Sequence, residues 1–435
     1  MFLYTDLQAR AASAGPVRVG LIGAGKFGSM FLSQVTTTDG LEVSAIADLD
    51  PAAAIATCAS VGWSKEQIDQ TRFTDNAQEI INTNTVDVIV EATGNPAAGI
   101  YHARLSIDNG VHIVMVNVEA DVLAGSLLAQ EARSAGTVYS MAYGDQPALT
   151  CELVEWARAT GFTVVAAGKG TKYLPEYHAS TPDTVWDHYG MTHEQASKAG
   201  MNSQMFNSFL DGTKSALEMA AIANATSLAA PSNGLAFPAA GMDDLAHVLR
   251  PTSVGGQLET SGQVEVVSSL ERDGRPVFKD LRWGVYVVIE APNDYSAACF
   301  QQYGMNTDSS GRFSAMYKPF HLIGLELNIS ILSAALLNKA TGSTQHFQAD
   351  VIATAKRNLK KGEILDGEGG HTVWGKLMPA TASLTMGGLP IGLAHNVKLK
   401  SDIPANQPLK WQDIEFDQSH DAIAYRKKME QQFAH

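Results

Sequence analysis

Three polar residues follow a short apolar run that predicts a buried strand. The stretch "HIVMVNVEADV" places Asn117, Glu119 and Asp121 directly after the run 113–116, and such a run is typical of a strand buried on both faces. Carboxylate and amide groups at a strand end can orient hydroxyl groups or take part in proton transfer. We therefore interpret Asn117 and Glu119 as active-site candidates, with helix capping as the alternative for Asn117, and Asp121 as the N-cap of a helix that begins near Val122.

Two lysines and a glutamate have surroundings that suit acid–base chemistry. Lys169 lies between two glycines at the end of "FTVVAAGKG"; we expect the glycines to leave room for a ligand, whose carbonyl or alkoxide oxygen the ammonium could stabilise. Lys214 and Glu218 are four residues apart in the stretch 209–228, which predicts one long helix. An exposed salt bridge is the default for such a pair, but this helix is otherwise nearly uncharged and rich in alanine, which favours a buried pair facing a cleft. Asn224 could hydrogen-bond either a ligand or the backbone.

Other polar residues are weaker candidates. Asp145 follows a further predicted strand and brings a second acid to the same edge of the sheet. His321 follows Pro319 at the entrance of an apolar helix that we expect to pack on the first domain, and it is equally well explained as a structural or an acid–base histidine. Cys151 lacks a histidine base nearby in the sequence and is interpreted as a small buried residue. A metal site is a minority interpretation of the segment 183–193, because its acids and histidines fit no zinc motif.

The elements that position these groups begin with a dinucleotide-binding fingerprint. A strand from Val17 to Ile22 precedes "GAGKFG", whose Gly23, Gly25 and Gly28 form G-x-G-x-x-G around Lys26 and Phe27. The first glycine permits a tight turn, the second permits the backbone to approach a pyrophosphate, and the third permits close packing of helix on strand. The start of the helix supplies N–H groups and its positive dipole end to the phosphates.

An acid follows the second predicted strand at the position that reads the adenosine ribose. Asp48 lies 20 positions after Gly28, where a carboxylate accepts hydrogen bonds from the ribose hydroxyls. No lysine or arginine lies between Asp48 and Lys65, so a 2′-phosphate would meet a carboxylate without a basic partner. The pattern therefore favours NAD over NADP.

The sheet continues with "VDVIVEATGNP", an apolar strand that ends in small and polar residues. Ligands of parallel sheets bind beyond the carboxyl ends of the strands. We therefore expect Thr93, Gly94 and Asn95, together with Asn117, to contact the nicotinamide half of the cofactor.

Composition narrows the class of protein. The chain has 435 residues, a formal net charge of −14, 45% hydrophobic and 17% charged residues, and three widely spaced cysteines. The charge argues against nucleic acid and anionic membranes as partners, and the cysteines exclude a disulfide framework. No stretch has the pattern of a signal peptide or a transmembrane helix. We expect a cytoplasmic homo-oligomer that binds a small-molecule substrate.

The patterns predict an α/β protein with three domains. Residues 1–160 are assigned to a doubly wound parallel Rossmann sheet, and residues 161–345 to an α+β catalytic domain whose last helix returns to the first domain. Residues 346–435 alternate short apolar segments with Gly, Pro and Asn turns, which predicts a small β-rich module followed by a polar helix.

Several motifs resemble one family over nearly the whole chain. "EATGNP", "VMVNVEADV", "GDQP", "AGKGTKY" and "DGTKSALEMAAIANATSL" are similar to homoserine-dehydrogenase-like oxidoreductases, and most similar to the branch of 1-deoxy-xylulose 5-phosphate reductoisomerase-like enzymes. "LKKGEILD" and "IPANQPLKWQDI" resemble the SAF domain that ends that branch. Two departures are that Val118 stands where related enzymes have a lysine, and that "AIADLDP" suits NAD rather than the branch's NADPH.

The residues and the resemblance together predict an NAD-dependent oxidoreductase acting on a CH–OH group of a small sugar or sugar acid. The resemblance implies a coupled carbon-skeleton isomerisation, with a divalent cation as an option for holding adjacent oxygens. Lys169, Lys214, Glu218, Asp145, Glu119 and His321 are the catalytic candidates. The alternatives are an NADPH-dependent reductoisomerase, a homoserine-type dehydrogenase, and a non-catalytic NAD-binding sensor.

Overall fold

The computed structural model describes residues 2–82, 84–417 and 420–433. The chain forms two compact units. Unit 1 consists of Met1–Glu152 and His321–Gln345, and unit 2 consists of Leu153–Phe320 and His346–His435.

The described residues form strands and helices that we number in chain order. The strands are β1 (Val17–Ile22), β2 (Leu41–Ala47), β3 (Arg72–Thr74), β4 (Val88–Glu91), β5 (His112–Met115), β6 (Tyr139–Met141), β7 (Thr163–Thr171), β8 (Gln263–Ser268), β9 (Val285–Glu290), β10 (Phe313–Lys318), β11 (Ala349–Ala355), β12 (Ile364–Asp366), β13 (Val373–Pro379), β14 (His395–Leu399) and β15 (Ile414–Glu415). The α-helices are α1 (Leu3–Ala14), α2 (Lys26–Val35), α3 (Pro51–Ser60), α4 (Lys65–Gln70), α5 (Pro96–Asp108), α6 (Val118–Ala135), α7 (Gln146–Ala159), α8 (Val185–Tyr189), α9 (His193–Lys198), α10 (Ser203–Leu210), α11 (Thr213–Thr226), α12 (Leu245–Val248), α13 (Asp294–Gln302), α14 (Asn328–Leu337), α15 (Ala380–Met386) and α16 (Asp421–Gln432).

Unit 1 is built on a six-stranded sheet in the order β3-β2-β1-β4-β5-β6. Every neighbouring pair of strands is parallel, and the order reverses between β1 and β4, which is the topological switch point of a Rossmann sheet. The apolar α14 shares one hydrophobic core with β1, β4 and β5. Because helices cover the sheet, its central strands are apolar on both faces. The predicted fold class is confirmed.

Unit 2 contains a four-stranded sheet in the order β10-β9-β7-β8. Strand β7 pairs parallel with β8 and antiparallel with β9, so it is central in the sheet. The C-terminal part adds a β11-β13 pair and a three-stranded sheet, β12-β14-β15. Helix α11 packs against β8, β11 and β13, and thereby joins the four-stranded sheet to the C-terminal strands.

The terminal helix α16 is anchored by a buried charge, which its polar sequence did not indicate. The Arg426 guanidinium is fully buried and lies 2.5 Å from Asp350 Oδ2 and 3.0 Å from Glu430 Oε1. These carboxylates raise the pKa of Arg426, although burial opposes them. Removing one partner of such a pair leaves an uncompensated buried charge, so α16 is an integral part of unit 2.

Within the part of the chain that the structure describes, none of the helices combines the length and the apolar character needed to cross a bilayer.

Candidate functional site

The glycine-rich turn of unit 1 has the geometry that a dinucleotide needs. Gly23 follows β1 with φ of 94°, a left-handed conformation that favours glycine. A Cβ on Gly28 would lie 2.3 Å from the Gly23 carbonyl oxygen, so only glycine lets α2 approach β1 this closely. Gly25 caps α2 without a side chain, and the helix starts with Lys26 and Phe27. The turn therefore fits a pyrophosphate against the first N–H groups of α2.

Asp48 lies at the end of β2, beside the same turn. Its Oδ2 accepts a hydrogen bond from the Ala24 N–H at 2.8 Å, and its Oδ1 accepts one from the Asp50 N–H at 3.0 Å. A carboxylate can accept about four hydrogen bonds, so Asp48 retains acceptor capacity for ribose hydroxyls. The two backbone contacts fix its orientation, and its role in reading the ribose stays a prediction.

Thr93, Gly94, Asn95 and Asn117 come together at the ends of β4 and β5. Asn95 caps α5 by accepting from the Ala98 N–H at 3.0 Å. The Asn117 side chain is buried and donates to the Asn95 carbonyl at 2.9 Å, and at 3.5 Å to Thr93 Oγ1. Asn117 thus holds two strand ends together. The nicotinamide contacts expected of these residues stay predictions.

Helix α6 begins earlier than predicted, and its cap is a different residue. The helix starts at Val118, and Asn117 caps it by accepting from the Ala120 N–H at 3.1 Å. The assignment of Asp121 as an N-cap near Val122 is therefore wrong. Glu119 lies in the first turn of α6, where a negative charge interacts favourably with the helix dipole.

Asp121 instead forms a buried hydrogen-bonded cluster. Its Oδ1 accepts from Tyr139 Oη and from Thr344 Oγ1, both at 2.9 Å. A Cβ on Gly125, one turn further along α6, would lie 2.3 Å from Asp121 Oδ1, so glycine provides the space for this cluster. Burial raises the pKa of the Asp121 carboxyl to about 6, although the hydrogen bonds from Thr344 and Tyr139 act in the opposite direction.

We expect replacement of Asp121 by Asn to maintain or increase stability at pH 7. The pKa of Asp121 is higher in the folded chain than the ordinary value of 3.8, so the folded state binds its proton more tightly. Its favourable contribution is complete below pH 4 and is lost as the pH rises to about 6. Above that pH, the buried charge costs on the order of 3 kcal/mol. The difference in unfolding free energy between Asp121→Asn and wild type, measured in urea from pH 4 to 8, should therefore rise with pH.

The matched control is Asp108→Asn, which changes an exposed acid in the same unit. The difference in unfolding free energy between Asp108→Asn and wild type should vary little from pH 4 to 8. A pH-independent difference for Asp121→Asn would contradict the buried charge.

Asp145 and His321 are also residues of unit 1. Asp145 is buried just before α7, where its Oδ1 accepts from the Gln146 N–H at 2.9 Å. His321 is half-buried and precedes α14 by seven residues, because that helix begins at Asn328. The expectation that His321 stands at the helix entrance is therefore wrong. The catalytic roles of both residues stay predictions.

Sequence reasoning missed a buried acid beside the cofactor turn. Glu91 is fully buried at the end of β4, and its Oε1 accepts from Thr93 Oγ1 and lies 3.3 Å from His102 Nδ1. Among the described residues, Glu91 Oε2 has no hydrogen-bond partner. The available signal was the acid in "IVEATG", an isolated charge at the end of an apolar strand.

In unit 2, Lys169 lies within β7 rather than beyond its end. It is 5% exposed and is in register with Val266 of β8 and Val285 of β9. A Cβ on either neighbouring glycine would lie 1.9 Å from a carbonyl oxygen, that of Glu265 for Gly168 and that of Leu281 for Gly170. The prediction that the glycines open space for a ligand is therefore wrong, because they admit neighbouring backbone.

Lys169 forms an ion pair with Glu218, a residue that is 2% exposed. Glu218 lies on α11, and Lys214 is half-buried one turn earlier on the same helix. The predicted single helix over 209–228 is divided: α10 ends at Leu210, and Gly212 adopts φ of 91° before α11 begins. The structure thus brings together Lys169 and Glu218, which are far apart in sequence. Neither their catalytic role nor that of Lys214 is established by this contact alone.

Two other buried side chains, Asn224 of α11 and Glu265 of β8, accept hydrogen bonds from backbone N–H groups. Asn224 Oδ1 accepts from the Gln348 N–H at 2.7 Å and the Ala349 N–H at 2.9 Å, which confirms the backbone alternative for Asn224. Glu265 of β8 accepts from the N–H groups of Ala236 at 3.1 Å and Val266 at 2.9 Å. Burial nevertheless raises the pKa of Glu265 to about 7. Sequence reasoning missed it, although it is the only acid in the apolar strand "QVEVVS".

Among residues 2–82, 84–417 and 420–433, no group of three or more His, Cys, Asp or Glu side chains is arranged to hold a metal ion. The prediction of a divalent cation therefore gains no support from these residues.

Two family models match the chain. The GFO/IDH/MocA model, described as an oxidoreductase family with an NAD-binding Rossmann fold, matches residues 17–142. The model described as the catalytic domain of oxidoreductase DRL matches residues 144–327. Each model covers less than half of the chain, and no curated protein matches it.

Several solved structures are similar to this chain. A myo-inositol dehydrogenase from Lactobacillus casei is 17% identical over 39% of this chain and 50% of its own, with a TM-score of 0.30. A probable dehydrogenase from Thermotoga maritima is 12% identical over 73% of this chain and 85% of its own, with a TM-score of 0.34. A homoserine dehydrogenase from S. aureus is 18% identical over 34% of this chain and 40% of its own, with a TM-score of 0.23.

The chain spans about half the length of the first of these structures. All three TM-scores are below 0.5, so these structures give no basis for assigning a substrate. The family models agree with the glycine turn and the parallel sheet of unit 1. Both models describe oxidoreductases, in agreement with the prediction: residues 17–142 are similar to an NAD-binding Rossmann family, and residues 144–327 to an oxidoreductase catalytic domain.

Proposed function

We propose that this protein oxidises a CH–OH group of a small sugar or sugar acid with NAD, in the cytoplasm and as a homo-oligomer. The observation that carries the proposal is the Lys169–Glu218 ion pair, which is buried in unit 2 within the segment that matches an oxidoreductase catalytic domain. Paired titratable groups that are shielded from water are typical of acid–base sites.

The proposed chemistry assigns one task to each member of the pair. The Lys169 ammonium stabilises the alkoxide that forms as the substrate hydroxyl loses its proton. Lys169 Nζ passes one of its protons to the Glu218 carboxylate and takes the substrate proton in its place, so the pair ends as an ammonium and a carboxylic acid, and the carboxylic acid then returns its proton to water. The bound nicotinamide supplies the acceptor for the hydride that leaves the carbinol carbon.

The preference for NAD is supported by the contacts of Asp48. The carboxylate is held beside the glycine turn by two backbone N–H groups. A 2′-phosphate in this position would meet a negative charge. We include a coupled carbon-skeleton isomerisation in the proposal, since the resemblance of the central motifs to reductoisomerase-like enzymes suggests it.

A panel of sugar acids, neutral sugars and ketose phosphates tests the proposal. Each compound is incubated with NAD or NADP, and in parallel with NADH or NADPH, and formation or consumption of the reduced nicotinamide is followed by absorbance. We expect turnover with NAD and at least one sugar or sugar acid, and NMR of the product distinguishes simple oxidation from rearrangement. Activity restricted to NADPH and 1-deoxy-xylulose 5-phosphate would instead support the reductoisomerase alternative.

A further inference from the structure

Unit 2 contains a cavity of about 240 Å³ whose described lining residues include neither Lys169 nor Glu218. Its wall includes Gly212 and Ala216 of the α11 start, and Trp374 and Lys376 of β13. Ala216 and Glu218 are two residues apart, so helical geometry places them about 200° apart around the axis of α11. The cavity and the ion pair therefore lie on different faces of this helix.

Among the lining residues that the structure describes, Lys376 is the only one with a charged side chain. The other lining residues that the structure describes are neutral or aromatic, and none of them is an aspartate or glutamate. This is unusual in a chain whose formal net charge is −14. The aliphatic part of Lys376 packs against Gly234, where a Cβ would lie 3.1 Å from Lys376 Cε. The cavity thus presents one positive charge without a competing carboxylate.

The start of α11 adds a second source of positive potential. This helix has 14 residues, and its N-cap Gly212 has no side chain. Asp211 Oδ1 accepts from the Thr213 N–H at 2.9 Å, and the charge of this carboxylate is balanced by Lys356, whose Nζ lies 2.7 Å from Asp211 Oδ2. Gly212 lines the cavity, so the positive end of the helix dipole is directed to the region that also contains Lys376. A Cβ on Gly212 would lie 3.2 Å from His178 Cε1, so glycine at this position leaves room for the imidazole beside the helix start.

His178 forms a fixed, neutral wall of the cavity. Its Nδ1 lies 2.7 Å from the Asp211 carbonyl oxygen and must donate to it, so its Nε2 accepts from Tyr173 Oη at 3.0 Å. The imidazole stacks on Trp374 with 3.9 Å between ring centroids. Burial lowers the pKa of His178 against the opposing hydrogen bond and charge of Asp211, and the charges of Lys356 and Lys376 lower it further. Lys376 is therefore left as the charged group that a ligand would meet.

The remaining lining residues suit a molecule rich in hydroxyl groups. Asn233, Asn406 and Thr354 place two amides and a hydroxyl in the wall, and each can donate and accept hydrogen bonds. Trp374 and Phe237 contribute aromatic surface, and the buried indole N–H of Trp374 has no hydrogen-bond partner among the described residues. Apolar walls with a few polar groups are typical of small-molecule sites.

We propose that this cavity is a second ligand site, which binds a small polyhydroxylated anion with its carboxylate or phosphate against Lys376 and the start of α11. The site goes beyond the oxidoreductase activity proposed above. Residues 354, 374, 376 and 406 belong to the C-terminal strands and their loops, so the β-rich module supplies the charge and most of the polar contacts.

Isothermal titration calorimetry without NAD tests the site. The probes are D-gluconate for a carboxylate, glucose 6-phosphate for a phosphate, and glucose as the neutral control. We expect saturable binding of at least one anion and much weaker binding of glucose, and the tighter anion identifies the acidic group. Absence of anion binding, or equal binding of glucose, would overturn the proposal.

Three variants locate the binding. Lys376→Met should weaken anion binding by roughly 10- to 100-fold, since it removes a charge-assisted contact. Asn406→Asp, which retains the side-chain shape at a residue with φ of 63°, should weaken it by adding a negative charge. Lys398→Met removes an exposed lysine of the same module and should change affinity by less than about twofold.

The Lys169→Met variant separates this site from the proposed active site. Anion binding that persists in Lys169→Met but is lost in Lys376→Met supports two separate sites. If both Lys376→Met and Asn406→Asp unfold thermally as wild type does and bind the anion with unchanged affinity, the second ligand site is contradicted. The proposed oxidoreductase function is not affected by that result.

Discussion

Replacing Lys169 by Met should lower kcat by roughly 10²- to 10⁴-fold, the usual contribution of a positioned acid–base group. The variant removes the cation that the proposed mechanism places on the developing alkoxide. NAD binding should persist, because the glycine turn and Asp48 belong to unit 1. Turnover is measured by nicotinamide absorbance, and NADH binding by its fluorescence.

The same variant should also be less stable, because Glu218 would remain buried without its ion-pair partner. Breaking a buried pair in this way costs about 3–5 kcal/mol. The double variant Lys169→Met/Glu218→Leu should recover much of this loss, since it removes both charges. It should not recover turnover, and this separates a chemical role of the pair from a structural one.

Lys198→Met is the matched control for these variants. Lys198 forms an exposed ion pair with Glu194 in the same unit, so its loss should change neither kcat nor stability by more than a small amount. Full turnover by the double variant would remove Lys169 and Glu218 from the mechanism.

Replacing Asp48 by Asn should reduce kcat/KM for NAD by roughly 10- to 100-fold, because a charged acceptor for the ribose hydroxyls is lost. The kcat/KM for NADP should fall less than that for NAD, or should rise, since the carboxylate no longer repels a 2′-phosphate. The ratio of kcat/KM for the two cofactors is therefore the informative measurement. The effect should appear mainly in KM, as Asp48 is assigned to binding.

Asp50→Asn provides the control for Asp48. Asp50 is exposed two residues later and caps α3 by accepting from the Ala53 N–H at 3.0 Å, a role that Asn fills equally well. The cofactor ratio should therefore be unchanged in this variant. An unchanged ratio in Asp48→Asn as well would mean that Asp48 only orders the turn through the Ala24 and Asp50 N–H groups.

The parts of this protein that could be predicted depend on short-range patterns. The spacing of Gly23, Gly25 and Gly28 predicted the turn, and the structure gives the physical reason, since a Cβ on Gly28 would lie 2.3 Å from a carbonyl oxygen. The apolar runs predicted strands of a parallel sheet, and these form the six-stranded sheet of unit 1. Local sequence is informative here because turns, caps and buried strands are specified by a few adjacent residues.

The partners of the polar residues could not be predicted in the same way. Asp121 had the residue type of an N-cap, but Asn117 caps α6 while Asp121 accepts from Tyr139 and Thr344. Glu218 suggested a partner one turn away on its helix, whereas the structure gives it Lys169 from β7. Thr344 is more than 200 residues from Asp121, so no local pattern could have indicated the contact.

By itself, the sequence determined the class of fold, the cofactor turn and the position of the acid at the end of β2, because these features depend on neighbouring residues. Only the tertiary structure decided which charges are buried together, since burial and pairing follow from how distant elements pack. The cavity around Lys376 shows this most directly. Its walls come from α11, the segment around Gly234 and the C-terminal strands, and no single stretch of the chain contains them.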